Sequence, residues 1–171
     1  MVTTNDSQIA GQLTLLRNHG VTGPNIHSLI GRTSRLDCVQ ATLLLIKLKS
    51  IDEKIKSRHE IASIYFEQLE GLDLELPQQQ PKTTHAYNIF TVRSRLRDDI
   101  AQALKNHNFG YQIYYPMPLH KQRPYQHLGY SDAEFPESMK AADEVISLPF
   151  YPEMPRSHID RICAVIRNVI G

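Results

Sequence analysis

Gly31-Arg32-Thr33-Ser34-Arg35-Leu36-Asp37 runs directly into Cys38-Val39-Gln40-Ala41-Thr42-Leu43-Leu44-Leu45-Ile46-Lys47-Leu48, and this stretch decides how the chain is read. Ser34 with Asp37 three residues later fits a capping box, so a helix is expected to start at Ser34. Gly31 permits a sharp approach to it. A helix start gathers unpaired peptide N–H groups at the positive end of the dipole. Thr33, Ser34 and Arg35 therefore suit an anion, and they serve equally well as a plain helix cap.

Behind the cap, Leu36, Val39, Leu43 and Ile46 form one helical row, and Leu44, Leu48, Ile51 and Ile55 form a second. Between Cys38 and Leu48 only Gln40, Thr42 and Lys47 are polar. A face that wide needs cover on more than one side, from this chain's own core or from a second subunit. Ala62, Phe66 and Leu69 extend a narrower stripe, so a long helix is expected from Ser34 to Leu69, bent or broken near Ser50 to Asp52.

On the N-terminal side, Met1 to Thr4 leans toward a strand. Asp6 or Asn5 caps a helix carrying Ile9, Leu13 and Leu16, which Gly20 stops. Val21 to Arg32 shows no period and reads as a loop. On the C-terminal side, strands are expected at Leu72–Leu76, Ala86–Val92, Tyr111–Tyr115 and Val145–Leu148. Helices are expected at Arg95–Asn106, Phe135–Glu144 and His158–Val169, with a short turn at Pro124–His127. The fold class is α+β: a long helix with a small domain of short strands flanked by helices.

Composition narrows the function. The 171 residues carry a net charge of +1 with 41% hydrophobic residues, which suits one ordinary globular domain. That balance gives no footing for nucleic-acid or membrane-surface binding. No apolar run spans a bilayer, and Met1 to Ala10 lacks the blocks of a signal peptide. The two cysteines, Cys38 and Cys163, are isolated and read as reduced, buried thiols of a cytoplasmic chain. The eight histidines form no metal-binding spacing, and no hydrolase, phosphate-loop or dinucleotide motif occurs. Three clusters remain. They are Thr33-Ser34-Arg35; His85 at the head of a strand; and Tyr114-Tyr115-Pro116-Met117-Pro118-Leu119-His120, a loop stiffened by two prolines that would wall a small-molecule site at little ordering cost.

Met1-Val-Thr-Thr-Asn-Asp6, Leu16-Arg-Asn-His-Gly20, Ser34-Arg-Leu-Asp37, Gln40-Ala41, Thr84-His85, Tyr115-Pro-Met-Pro-Leu-His-Lys-Gln122, Leu128-Gly-Tyr130 and Ser147-Leu-Pro-Phe-Tyr-Pro152 occur in this order. Together they resemble the DegT/DnrJ/EryC1/StrS family of pyridoxal 5′-phosphate (PLP)-dependent sugar aminotransferases. The resemblance implies the C-terminal part of a fold-type I aminotransferase, cytoplasmic and homodimeric. Residues 1–33 would be a remnant of the large cofactor domain with its linking loop, 34–71 an interdomain and dimer helix, and 72–171 the small C-terminal domain. It implies PLP as cofactor, with Thr33, Ser34 and Arg35 on its phosphate and Arg35, His85, Tyr114, Tyr115 and His120 on a keto-sugar nucleotide, glutamate being the usual amino donor. Thr33 stands where the family usually has Asn. None of the lysines from Lys47 to Lys140 lies in the family's Schiff-base motif. This chain alone is therefore expected to hold no PLP and catalyse no transamination, and to need a complementary N-terminal half. The alternative reading is a non-catalytic sugar-nucleotide-binding or dimerisation module.

Overall fold

In the computed structural model, which describes residues 1–171, the apolar periodicity resolves into six α-helices and four short strands. They fall into two units, Met1–Ser50 and Ile51–Gly171.

In the first unit, α1 (Ser7–Leu16) starts where the sequence marks it: the Asp6 carboxylate accepts the N–H groups of Gln8 and Ile9 at 2.8 and 3.1 Å. Met1–Thr4 forms no strand. After α1 the chain reverses through Asn18-His19-Gly20-Val21, where the Val21 N–H donates to the Asn18 carbonyl at 3.1 Å. Val21–Arg32, expected to be a loop, contains a small antiparallel hairpin, β1 (Val21–Gly23) and β2 (Ile26–His27). Pro24 followed by left-handed Asn25 (φ 59°) supplies the reversal, a turn chemistry too short for periodicity to register.

The capping box at Ser34 does not form. Ser34 N–H donates to Arg17 O at 2.8 Å, and Thr33 bridges Asn18, so this segment is held extended against the end of α1. Helix α2 (Cys38–Leu48) begins only after Asp37, whose side chain makes no cap bond. It ends with Lys49 and Ser50 N–H groups bonded to Ile46 and Lys47 carbonyls, a tightened last turn, and the Ser50 hydroxyl donates to the Lys47 carbonyl at 3.3 Å. The long helical stretch is thus two helices, broken at Lys49–Ser50, at the edge of the Ser50 to Asp52 region where a bend or break is expected. No side chain of α2 is buried, Cys38 included, which corrects the expectation of a buried thiol there.

The second unit carries the core. Helix α3 (Ile51–Leu69) buries Ile61, Ala62, Tyr65 and Leu69. Strands β3 (Phe90–Arg93) and β4 (Val145–Leu148) pair antiparallel with Phe90 opposite Leu148 and Thr91 opposite Ser147. Helices α4 (Arg97–Asn106), α5 (Pro136–Glu144) and α6 (Arg156–Ile170) complete it, with α6 packed on both α3 and α4. Leu72–Leu76 and Tyr111–Tyr115 are not strands. Each touches the sheet at one residue only, Glu75 on Arg93 and Gln112 on Ser147. An aromatic cluster fills the centre. Tyr65 stacks on Phe90 at 4.9 Å, Phe90 stacks on Phe150 at 5.7 Å, and the Tyr65 hydroxyl donates to the Pro149 carbonyl at 2.9 Å. Burial pushes the Tyr65 phenol above its ordinary range and the Cys163 thiol up to about 12.

Candidate functional site

The candidate residues lie in both units, and each group has its own support. Thr33, Ser34 and Arg35 belong to the strip held by α1. Arg32 N–H bonds to Leu16 O at 2.9 Å, and Ser34 N–H bonds to Arg17 O, so the backbone is fixed on both sides of Thr33. This strip passes so close to the turn that a β-carbon on Gly31 would lie 2.6 Å from Leu16 O and 2.7 Å from the Gly20 nitrogen. A glycine is the one residue that fits there. The Thr33 hydroxyl lies 2.5 Å from His19 Nε2, a contact the sequence did not disclose. Arg35 is exposed, and none of the chain's ion pairs involves it. Two hydroxyls and a guanidinium on a fixed strand make a donor set suited to phosphate or carboxylate oxygens.

In the second unit, His85 is exposed and its Nδ1 accepts the Tyr87 N–H at 3.0 Å. With Nδ1 accepting, Nε2 carries the ring proton and is a hydrogen-bond donor. Tyr87 holds a positive φ of 42°, unusual for a bulky residue, and is buried with its ring 4.3 Å from His85 and 5.1 Å from His59. The packing of Tyr87 thus sets the position and tautomer of His85.

Tyr114 and Tyr115 are exposed at 53% and 72%, at the start of the proline-stiffened loop. His120 is different: its side chain is only 7% exposed, its ring packs 4.8 Å from Phe135, and its Nε2 donates to Asp132 Oδ1 at 3.2 Å. It ties the loop down rather than presenting itself from it. Lys121 Nζ bonds to the other Asp132 oxygen at 2.9 Å, and the two donors, Lys121 first, hold the Asp132 carboxyl below its usual range. Ser131 and Glu134 form a capping box beside them, and the Ser131 N–H lowers the Glu134 carboxyl in the same way. Asp132 and Glu134 were unmarked in the sequence, since acidic residues in a polar segment carry no period.

No group of three His, Cys, Asp or Glu side chains is placed to hold a metal ion. No helix is long and apolar enough to cross a membrane. An open groove at the end of α3, lined by Phe66, Leu69, Leu74 and Leu76, includes none of the candidate residues.

This α+β arrangement is that of part of an aminotransferase. A crystal structure of DesV from S. venezuelae matches it with a TM-score of 0.91 at 31% identity, over 97% of this chain and 45% of that one. The chain belongs to the DegT/DnrJ/EryC1/StrS aminotransferase family, whose model matches residues 1–167. It is 35% identical over 170 residues to UDP-N-acetyl-3-dehydro-alpha-D-glucosamine 3-aminotransferase of Acidithiobacillus ferrooxidans, covering 99% of this chain and 46% of that protein. It is 34% identical over 167 residues to dTDP-3-amino-3,6-dideoxy-alpha-D-galactopyranose transaminase of Aneurinibacillus thermoaerophilus, covering 98% of this chain and 46% of that protein. The chain thus spans about half the length of the curated relatives it matches.

Proposed function

We propose that this chain is the C-terminal part of a PLP-dependent aminotransferase that converts a keto-sugar nucleotide to an amino sugar, with glutamate as amino donor. The observation that carries the reading is the family match across residues 1–167, together with relatives that are themselves transaminases of UDP- and dTDP-sugars. The donor set fits the cofactor's phosphate: the Thr33 and Ser34 hydroxyls and the Arg35 guanidinium sit on a braced strip with no competing carboxylate on Arg35. When bound, PLP supplies the amino-group exchange chemistry and the sink for the electrons released on proton removal.

The roles left to this chain are binding and orientation. Thr33 and Ser34 hold the phosphate by hydrogen bonds. The planar fork of Arg35 pairs with phosphate or with a sugar carboxylate. His85, kept as the Nε2–H tautomer by Tyr87, donates to a substrate oxygen. Tyr114 and Tyr115 wall the sugar on a loop that His120 and Asp132 keep in place. The amino-transfer step itself belongs to the intact family enzyme, of whose length this chain spans about half.

Co-expression with the N-terminal half of a family member tests this. A stable complex with the absorbance band of bound PLP is expected, and Arg35→Ala should weaken PLP or substrate binding about tenfold or more. No complex and no band would overturn the reading. Tight calorimetric binding of a UDP- or dTDP-sugar to this chain without PLP would favour a non-catalytic binding module instead.

A further inference from the structure

The turn at Asn18–Val21 contains a residue that the turn itself does not call for. Val21 N–H closes it on Asn18 O at 3.1 Å, and both central residues are left-handed, His19 at φ 58° and Gly20 at φ 71°. That is a type I′ turn, whose first central position is served without strain by Asn, Asp or Gly. Histidine visits this region more often than most residues that carry a β-carbon, yet Gly, Asn and Asp are the ones that occupy it routinely. Burial does not explain the choice, because His19 is exposed. The backbone around it is fixed, with Gly20 N–H on Leu15 O at 2.7 Å, His19 N–H on Arg32 O at 3.3 Å, and His27 Nδ1 2.9 Å from His19 O. One product of the strained placement is visible, the 2.5 Å contact of His19 Nε2 with Thr33 Oγ1. An unusual backbone retained at such a point calls for a functional account.

We propose that His19 is a positioning residue that acts through Thr33: its Nε2–H donates to Thr33 Oγ1, fixes the hydroxyl rotamer, and leaves the Thr33 O–H free to donate to a phosphate oxygen. This rests on the reading of Thr33–Arg35 as the segment that binds the cofactor phosphate. The direction of the bond is what matters. If Nε2 accepted instead, the hydroxyl's single proton would be spent on the ring, and Thr33 would present only lone pairs to an anion. With Nε2 donating, the two bonds form a chain that polarises the hydroxyl toward the anion. The arrangement also supplies what a short side chain lacks. A threonine reaches less far than an amide, and the ring behind it holds its hydroxyl in one orientation.

The test uses His19→Asn, which keeps a side chain well suited to the left-handed turn, with His19→Gly as a second variant. In the PLP-loaded enzyme containing this chain, both variants should leave the melting temperature unchanged or raised, and should weaken PLP about tenfold. Thr33→Val should weaken PLP similarly, and the His19→Asn/Thr33→Val double variant should lose no more than Thr33→Val alone. Nitrogen-15 NMR should report His19 protonated at Nε2, with the ring resonance shifting in Thr33→Val. Three results overturn the proposal while leaving the phosphate reading in place: a Thr33→Val loss with no His19→Asn loss, losses that simply add, or a PLP loss that tracks falling stability in both His19 variants. A His19 ring protonated only at Nδ1 overturns it as well. A Thr33→Val variant that retains PLP at full affinity overturns the phosphate reading of Thr33, and this proposal with it.

Discussion

Helices α2 and α6 differ in a way that their apolar content does not foretell. Over α2 only Gln40, Thr42 and Lys47 are polar, yet no residue is buried, and Val39, Leu45 and Ile46 are exposed at 73%, 63% and 60%. Helix α6 carries Arg156, Ser157, His158, Asp160, Arg161, Arg167 and Asn168, yet it buries Ile159, Ile162, Cys163, Val165 and Ile166. The difference is one of arrangement. In α6 the apolar residues keep one face, and α3 and α4 lie against it. In α2 they spread over a wide face, while its unit offers only α1 and a small hairpin, and Gly20 is the sole buried residue there. Burial follows from a matching surface, and the apolar residues of a helix provide only half of it.

The largest expected contrast is in stability. Phe90→Ala removes a fully buried ring from the aromatic cluster and should destabilise the second unit by about 3–5 kcal/mol in denaturant titration. Leu44→Ala, at a position 54% exposed, should change the stability read from the same titration by about 0.5 kcal/mol or less. Equal losses at the two positions would break the comparison. Thiol labelling sharpens it. Cys38 on α2 should react with a thiol reagent in the native chain, while Cys163, buried and with its thiol pushed up to about 12, should react only after denaturation. Rapid native labelling of both would mean that α6 opens far more readily than its packing implies.

The smallest contrast concerns Tyr114–Phe135, which lies in the second unit yet contributes no residue to its core. Polar ties hold it in place of a core. Because the Glu134 carboxyl is held below its usual range by the Ser131 N–H, its contribution is present above the ordinary glutamate pKa and is lost as pH falls through the lowered folded value. The Ser131 amide resonance should therefore titrate with a midpoint below that of an ordinary glutamate. A midpoint at the ordinary value would show the tie to be absent in solution.

Much of this architecture is legible in the residues, and the exceptions have physical causes. Asp6, the stripe of α6 and the β-branched run of β4 mark their elements directly, because capping and period are local properties. The break at Lys49–Ser50 is legible to within a residue: a bend or break is expected at Ser50 to Asp52, and the Ser50 hydroxyl competes for a helix carbonyl there. The Ser34 capping box misleads because Ser34 N–H is already committed to Arg17, a tertiary bond that no local pattern reveals. Leu72–Leu76 and Tyr111–Tyr115 carry strand-like residues but reach the sheet at a single bridge each. Among the candidate residues, Thr33 to Arg35 and the Tyr114–Tyr115 loop stand out by residue type. The sequestration of His120 by Asp132 and the reach of His19 to Thr33 depend on which segments meet, and segments that distant in sequence leave no periodic trace.

The two single-residue bridges have a consequence for the sheet's borders. Glu75 lies against Arg93 of β3 and Gln112 against Ser147 of β4, and each bridge then stops. Long strands at these positions would have presented an outer row of unpaired amides to any passing chain. With one bonded residue on either side, and the Arg93 guanidinium tied to both Glu75 and Glu144, the sheet offers almost no template for strand addition. Any tendency of this polypeptide to clump should therefore originate on the leucine-rich face of α2, and substitutions made to improve its handling belong there rather than on β3 or β4.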